Sequence, residues 1–417
     1  MNPPTLMSSV FSMFTPSPSE LHDIPVLGLG TWRVSVISSA QQPQSSRTAV
    51  GDAVSVALAT GYRHIDCAYL YGNEKEIGNA LRSSMEHLGL RRDEMFIVSK
   101  LWCTYFRPEL VEKCCEQSLS DLGLDYIDLY LMHSPMAFQQ PGASLFPVGP
   151  DGVTIAIDEV PLTDTWEAME NLVDAGLVKS IGLSNFNKHQ IFRILTECRI
   201  KPINLQIEAH VNFPNSELVS YAQSLGITVT AYAPLGSPGG FRGRTNLLNE
   251  KWISDIAVRK GKSSAQVLLR YLIQRGLIVI PKSVKPERIK ENAQVFDFEL
   301  TSEEMNLLNT MGLNERQFRF KNLRNLVHAP KLTPGPEEAK YFFYPSDLSW
   351  DTCKYNLPAA MDWSPAPFCV SCCAAPTAGV SSNEFTWIYS NKGCSLNPED
   401  DDDYTDTLLI VRLEREA

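Results

Sequence analysis

The sequence predicts a (β/α)8 barrel with long loops at its C-terminal face and a poorly structured C-terminal extension. Three observations predict it. Eight short apolar runs fall at 26–30, 64–66, 96–100, 127–133, 180–184, 203–208, 228–233 and 278–281. Between them lie stretches with apolar spacing of three and four, among them 49–60, 108–122, 163–175, 216–225 and 264–273. Strict alternation of this kind implies a parallel sheet covered by helices, and eight units is the number that closes a barrel. Finally, a dinucleotide-binding doubly wound sheet would need Gly-x-Gly-x-x-Gly between its first strand and helix. Here Gly28-Leu29-Gly30 continues as Thr31-Trp32-Arg33, which is not that turn.

Taken in order, the runs deliver polar or aromatic residues at their C-terminal ends. The first ends before Thr31 and Trp32. The second ends at Asp66, with Tyr71 shortly beyond. The third closes on Lys100, followed by Trp102, and the fourth on His133, followed by Ser134. The fifth ends in Ser184 and Asn185, and the sixth carries Gln206. The seventh carries Tyr232 and leads to Leu235 and Ser237. The eighth runs into Lys282-Ser283-Val284-Lys285-Pro286-Glu287-Arg288. Barrel active sites are assembled at the strands' C-terminal ends, so these are the candidate functional residues.

Two inserts interrupt the alternation, at 134–162 and 236–249. The first is rich in Pro, Gly and aromatics and includes Phe138 and Phe146. Loops this long at a barrel mouth read as lids. Beyond about residue 320 the alternation stops. From Asn325 onward there are 14 Asp/Glu, 6 Lys/Arg and nine prolines, so −8 of the net −11 sits there. The division predicted is an N-terminal tail at 1–20, a barrel at 21–325 and a largely irregular extension at 326–417. The only helical period of note in that extension covers 408–415. Its Cys369, Cys372, Cys373 and Cys394 lack the paired spacing of a zinc site, and no metal is expected.

The negative charge disfavours nucleic acid and anionic membrane as partners. No apolar run approaches a membrane span, and no basic stretch opens the chain, so a cytosolic protein with reduced thiols is expected.

The chemistry points to proton transfer. Tyrosine is a poor acid at neutral pH, with an ordinary pKa of about 10. A lysine cation beside it favours the phenolate, and an aspartate keeps that lysine charged and in place. Asp66, Tyr71, Lys100 and His133 make such a set, with His133 able to orient a carbonyl oxygen. The bland alternative is a buried polar cluster that plugs the barrel top.

These residues carry a family resemblance. The stretch from Gly61 to Glu74, GYRHIDCAYLYGNE, resembles the signature of the aldo-keto reductase superfamily. So do Leu131-Met132-His133-Ser134-Pro135, Gly182-Leu183-Ser184-Asn185-Phe186 and Ile280-Pro281-Lys282-Ser283-Val284. The resemblance implies NADPH-dependent reduction of aldehydes or ketones, with Tyr71 as general acid tuned by Asp66 and Lys100. It implies a substrate wall of Trp32, Trp102, His133 and Ser134. For the cofactor it implies Ser184, Asn185 and Gln206 on the carboxamide, with Tyr232 stacked on the nicotinamide. Thr31, Trp32, Leu235 and Ser237 also fall in that set, and Glu291 and Asn292 lie at the adenine. Lys282, Ser283, Val284 and Arg288 enter a helix whose N-terminal N–H groups favour an anion, which suits the 2′-phosphate of NADPH. Two departures bear on this pattern. Ser134 stands where many relatives carry tryptophan, implying a wider and more polar pocket. Lys285 replaces a small hydroxyl residue and would add a third cation. The family is usually monomeric, and monomer is expected here. A second reading is a catalytically weak NADPH-binding barrel that acts as a regulatory or scaffolding subunit through its extension.

Overall fold

The computed structural model describes residues 24–32, 49–139, 144–150, 155–238 and 246–318, and the backbone of 386–389 and 409–412. Eight strands follow one another in chain order: β1 (Gly28–Gly30), β2 (His64–Asp66), β3 (Phe96–Leu101), β4 (Leu129–Met132), β5 (Ile181–Ser184), β6 (Asn204–Glu208), β7 (Thr228–Tyr232) and β8 (Leu277–Val279). Each is parallel to the next, in the order β1 to β8. The sheet closes where Leu27 bridges Val279 in parallel and the Val279 N–H donates to the Val26 carbonyl across 2.8 Å. The predicted (β/α)8 barrel is what forms.

Helices cover the outside: α1 (Ala49–Thr60), α2 (Glu74–Leu88), α3 (Pro108–Leu122), α4 (Leu162–Asp174), α5 (Lys188–Glu197), α6 (Ser216–Ser224), α7 (Lys251–Lys260) and α8 (Ser264–Gln274). Two more follow β8, α9 (Pro286–Asn292) and α10 (Ser302–Thr310). Their ends are written in the sequence. α3 starts on Pro108 and stops at Gly123, whose φ of 67° a side chain would resist. α5, α8 and α10 begin with reciprocal capping boxes: Asn187 with Gln190, Ser263 with Gln266, and Thr301 with Glu304.

Because helices shield one face of the strands and barrel side chains the other, β4 to β6 are buried at every position. Inside, Val98, Leu129, Leu131 and Ile278 form one apolar cluster with Ile24. Space there is tight. A Cβ on Gly182 would stand 2.6 Å from the Asn204 carbonyl oxygen and 2.7 Å from the Leu131 side chain. The five cysteines among the described residues are all free thiols. Cys67, Cys103, Cys114 and Cys115 are buried and Cys198 is half-buried. Burial raises each above the ordinary thiol range, Cys198 to about 11 and Cys114 to about 12.

The chain divides into two compact units, 1–349 and 350–417. In the second, β9 (Thr386–Tyr389) pairs antiparallel with β10 (Leu409–Arg412). This corrects the helical period expected over 408–415. Leu-Ile-Val-Arg is a short apolar run with β-branched residues, which suits a strand better than an isolated helical turn. The candidate cysteines at 369, 372, 373 and 394 lie outside the described residues, as do the N-terminal tail and the rest of the extension. Among the described residues no helix is long and apolar enough to cross a membrane, and no group of His, Cys, Asp and Glu could hold a metal ion.

Candidate active site

Asp66, Lys100 and Gln206 project from β2, β3 and β6 and meet at the Asp66 carboxylate. The Lys100 ammonium, fully buried, donates to Asp66 Oδ1 and Oδ2 across 2.8 and 2.9 Å and to the Cys67 carbonyl across 2.7 Å. It also reaches the Tyr71 hydroxyl at 3.4 Å. The Thr31 hydroxyl donates to the Asp66 carbonyl across 2.7 Å, and Asn73 Nδ2 donates to the Thr31 carbonyl across 3.0 Å. The short helical turn at Tyr69–Tyr71, ended by Gly72 at φ 62°, holds the phenol in place.

The electrostatics of Tyr71 differ from the expectation. Burial first, then the Asp66 charge, hold its phenol well above the ordinary tyrosine value. Lys100 was expected to draw that value down, but desolvation of a buried phenolate outweighs one cation shared with a carboxylate. Tyr71 therefore keeps its proton at neutral pH. Burial, and then Lys100, hold His133 well below its usual 6.5, so the imidazole is neutral. Its Nδ1 is buried and has no hydrogen-bond partner among the described residues.

Around this centre the aromatic residues pack edge to face. The His133 ring lies 5.8 Å from Tyr71 and 5.2 Å from Trp102. Trp102 in turn lies 5.9 Å from Phe138 and 5.3 Å from Phe146, and its indole N–H donates to the Leu145 carbonyl across 2.7 Å. The described residues of the loop after β4 thus pack back against Trp102. Ser134 is buried beside His133.

Just after β5, Asn185 has a φ of 64°, a conformation asparagine tolerates better than most residues. It donates from Nδ2 to the His133 carbonyl (2.9 Å) and to Ser184 Oγ (3.1 Å), and accepts the Tyr232 hydroxyl on Oδ1 (2.9 Å). Gln206 Nε2 donates to Asp66 Oδ1 across 2.7 Å. The Asn185 N–H donates to the Gln206 carbonyl across 3.0 Å, so Ser184, Asn185, Gln206 and Tyr232 form one network that reaches Asp66 and the His133 backbone. Leu235 is half-buried against the core, and Ser237 turns with a φ of 54°.

The cationic group stands apart, beyond β8. Lys282, Val284, Lys285 and Arg288 are exposed, Ser283 is half-buried, and Ser283 Oγ accepts the Lys285 N–H. Glu291 is half-buried, and its carbonyl accepts Gln266 Nε2. Asn292 is buried.

Three residues near the site escaped the sequence reading. Glu208 and His210, both buried, end β6 and begin its loop, and Phe318 lies 5.7 Å from Trp32 and 5.6 Å from Tyr232, ring to ring. Glu208 had one available signal: it lies two positions beyond Gln206 on the same strand, so both point to the same face.

The Aldo/keto reductase family model matches residues 26–312. Among curated proteins, "Aldo-keto reductase family 1 member A1-A" of Danio rerio is 49% identical over 300 residues, covering 70% of this chain and 88% of the relative. "Aldo-keto reductase family 1 member A1" of Homo sapiens is 45% identical over 330 residues, covering 77% and 94%. Among solved structures, the aldose reductase from Schistosoma japonicum superposes with a TM-score of 0.66 at 54% identity, covering 75% of this chain and 96% of that one. The eight-stranded barrel, the motifs at its strand ends and these matches agree: the chain belongs to the aldo/keto reductase family.

Proposed function

We propose that the protein reduces aldehydes or ketones to alcohols with NADPH, and that Tyr71 supplies the proton. The observation that carries this is the protonated Tyr71 hydroxyl 3.4 Å from a buried ammonium that Asp66 holds with both oxygens. As a carbonyl oxygen gains negative charge, Tyr71 gives up its proton to it. The phenolate left behind faces Lys100, whose charge is most effective where water is excluded. His133, neutral, carries one ring proton and directs a hydrogen bond to the same oxygen. Trp102, Phe138 and Phe146 supply an apolar wall that keeps water from the reacting atoms.

The residues present fit a phosphorylated nicotinamide dinucleotide. Tyr232 offers a half-buried ring fixed through its hydroxyl, and Asn185 and Ser184 lie beside it with amide and hydroxyl groups for a carboxamide. The exposed Lys285 and Arg288 make no ion pair among the described residues, which leaves both to an anion such as the 2′-phosphate. When bound, NADPH supplies the hydride. Every other task falls to side chains described above.

The test is purified protein with NADPH and a panel of small aldehydes, followed at the cofactor's absorbance band, for wild type and Tyr71→Phe. General acid catalysis is worth about 10²–10⁴-fold, so the variant should lose at least about 10² in turnover while binding NADPH as before. Turnover within threefold of wild type would remove Tyr71 from the acid role.

A further inference from the structure

Glu208 lies at the end of β6, 1% exposed, two positions beyond Gln206. Its carboxylate is nevertheless fully engaged. Oε1 accepts the Gln317 backbone N–H across 2.5 Å, and Oε2 accepts the Phe318 backbone N–H across 3.1 Å. His210 Nε2 stands 3.0 Å from Oε1 on the other side. A buried carboxylate costs too much to be kept without such donors, and here two of them come from a segment more than 100 residues away. That segment is tied down all along the loop after β6. The Leu313 N–H donates to Asn212 Oδ1 (3.3 Å) and the Glu315 N–H to the Asn212 carbonyl (2.6 Å). A Cβ on Gly312 would run into the Val211 carbonyl oxygen, so only glycine lets the two backbones approach this closely. The Arg316 guanidinium lies 4.9 Å over the Phe213 ring. The last two amides of the segment are the ones Glu208 holds, and they set where Phe318 stands: edge-on to both Trp32 and Tyr232.

We propose that Glu208, braced by His210, is a positioning residue that fixes Phe318 at the barrel mouth and so sets which carbonyl compounds enter. Glu208 acts only through the 312–318 segment. A carboxylate has acceptors for both amides, whereas an amide side chain offers one acceptor oxygen and turns an NH2 group toward the other donor. Glu208→Gln therefore keeps size and shape but releases one backbone N–H, and Phe318 with it. A small aldehyde that occupies only the space between Tyr71, His133 and Trp102 would not sense the change. A bulky aromatic aldehyde reaching Phe318 would.

The proposal rests on the carbonyl-reducing reading above, and the experiment separates the two. Hydrogen exchange on the full chain needs no activity: the amides of Gln317 and Phe318 should exchange about tenfold faster in Glu208→Gln while those of β3 and β4 are unchanged. Unchanged exchange at 317–318 overturns the latch whatever the enzyme does. Kinetics then test its consequence. Glu208→Gln should shift KM for the bulky aldehyde by about tenfold, and leave kcat/KM for the small one within threefold. Introduced into Phe318→Ala, the same substitution should add nothing, because contacting groups on one path are not additive. Equal losses on both substrates, or full additivity with Phe318→Ala, would show a general structural role and overturn the proposal. If wild type reduces neither aldehyde, the carbonyl-reducing reading and the kinetic consequence fail together, while the exchange result still decides the latch.

Discussion

Gln206 and Asp66 are 140 residues apart in the chain and 2.7 Å apart across the barrel. That bond, with the two from Lys100, means Asp66 Oδ1 accepts from both an amide and an ammonium, and the carboxylate is buried. The Asp66 carboxylate beside Tyr71 is thus held by residues of three strands, β2, β3 and β6.

Asp66→Asn should be strongly destabilising. Removing one partner of a buried ion pair leaves Lys100 charged and uncompensated, which costs about 3–5 kcal/mol. Denaturant unfolding would measure it. The exposed pair Lys251–Asp255 is the control, since its loss should cost far less. Equal effects would mean the buried pair is already compensated by its other bonds.

Cofactor preference should follow the cations beyond β8. Arg288→Ala is expected to weaken NADPH by about 10–100-fold and NADH hardly at all, because only NADPH carries the 2′-phosphate and a charge-assisted bond is worth about 1.5–3 kcal/mol. Titration of cofactor fluorescence with both forms decides it. Equal weakening would point to damage in α9.

Stability should fall on the acid side partly through His133. The unfolded histidine takes up a proton near pH 6.5, but the folded one is held well below that value by burial and Lys100. Between those two points the unfolded state binds more protons, so stability drops as pH falls below about 6.5. His64, lowered for the same leading reason, contributes in the same direction. Unfolding of wild type and His133→Asn at pH 7.5 and 5.5 should show the smaller loss in the variant. An equal loss would assign the acid sensitivity elsewhere.

Deleting residues from Lys331 onward should leave a folded barrel that still consumes NADPH with a small aldehyde. β8 already bonds back to Val26, and the segment that carries Phe318 is retained. The extension holds −8 of the net charge and nine prolines, a poor composition for a core. Aggregation, or loss of activity on every substrate, would make the extension integral to the fold.

The cluster of Asp66, Tyr71, Lys100 and His133 was legible because each closes or follows a short apolar run, and strand ends in a barrel converge whatever the loops do. Helix ends were legible where chemistry marks them, as at Pro108 and Gly123. What could not be read was partnership across the barrel. Nothing in the sequence tells Gln206 to bond Asp66, or Glu208 to hold the amides of Gln317 and Phe318, since backbone donors look alike in every sequence. The direction of the Tyr71 shift was missed for a related reason: the lysine is visible in the sequence, but the depth of burial that outweighs it is not.

The thiols have a consequence for an enzyme that handles reactive carbonyl compounds. The thiolate rather than the thiol attacks soft electrophiles, and burial raises every described cysteine above the ordinary thiol range. An α,β-unsaturated aldehyde entering the mouth would find aromatic rings and a phenol but no sulfur nucleophile within the described barrel. The protein should therefore survive many turnovers of such a compound without alkylating itself, and the intact mass of the 1–330 truncation after prolonged exposure would register any adduct.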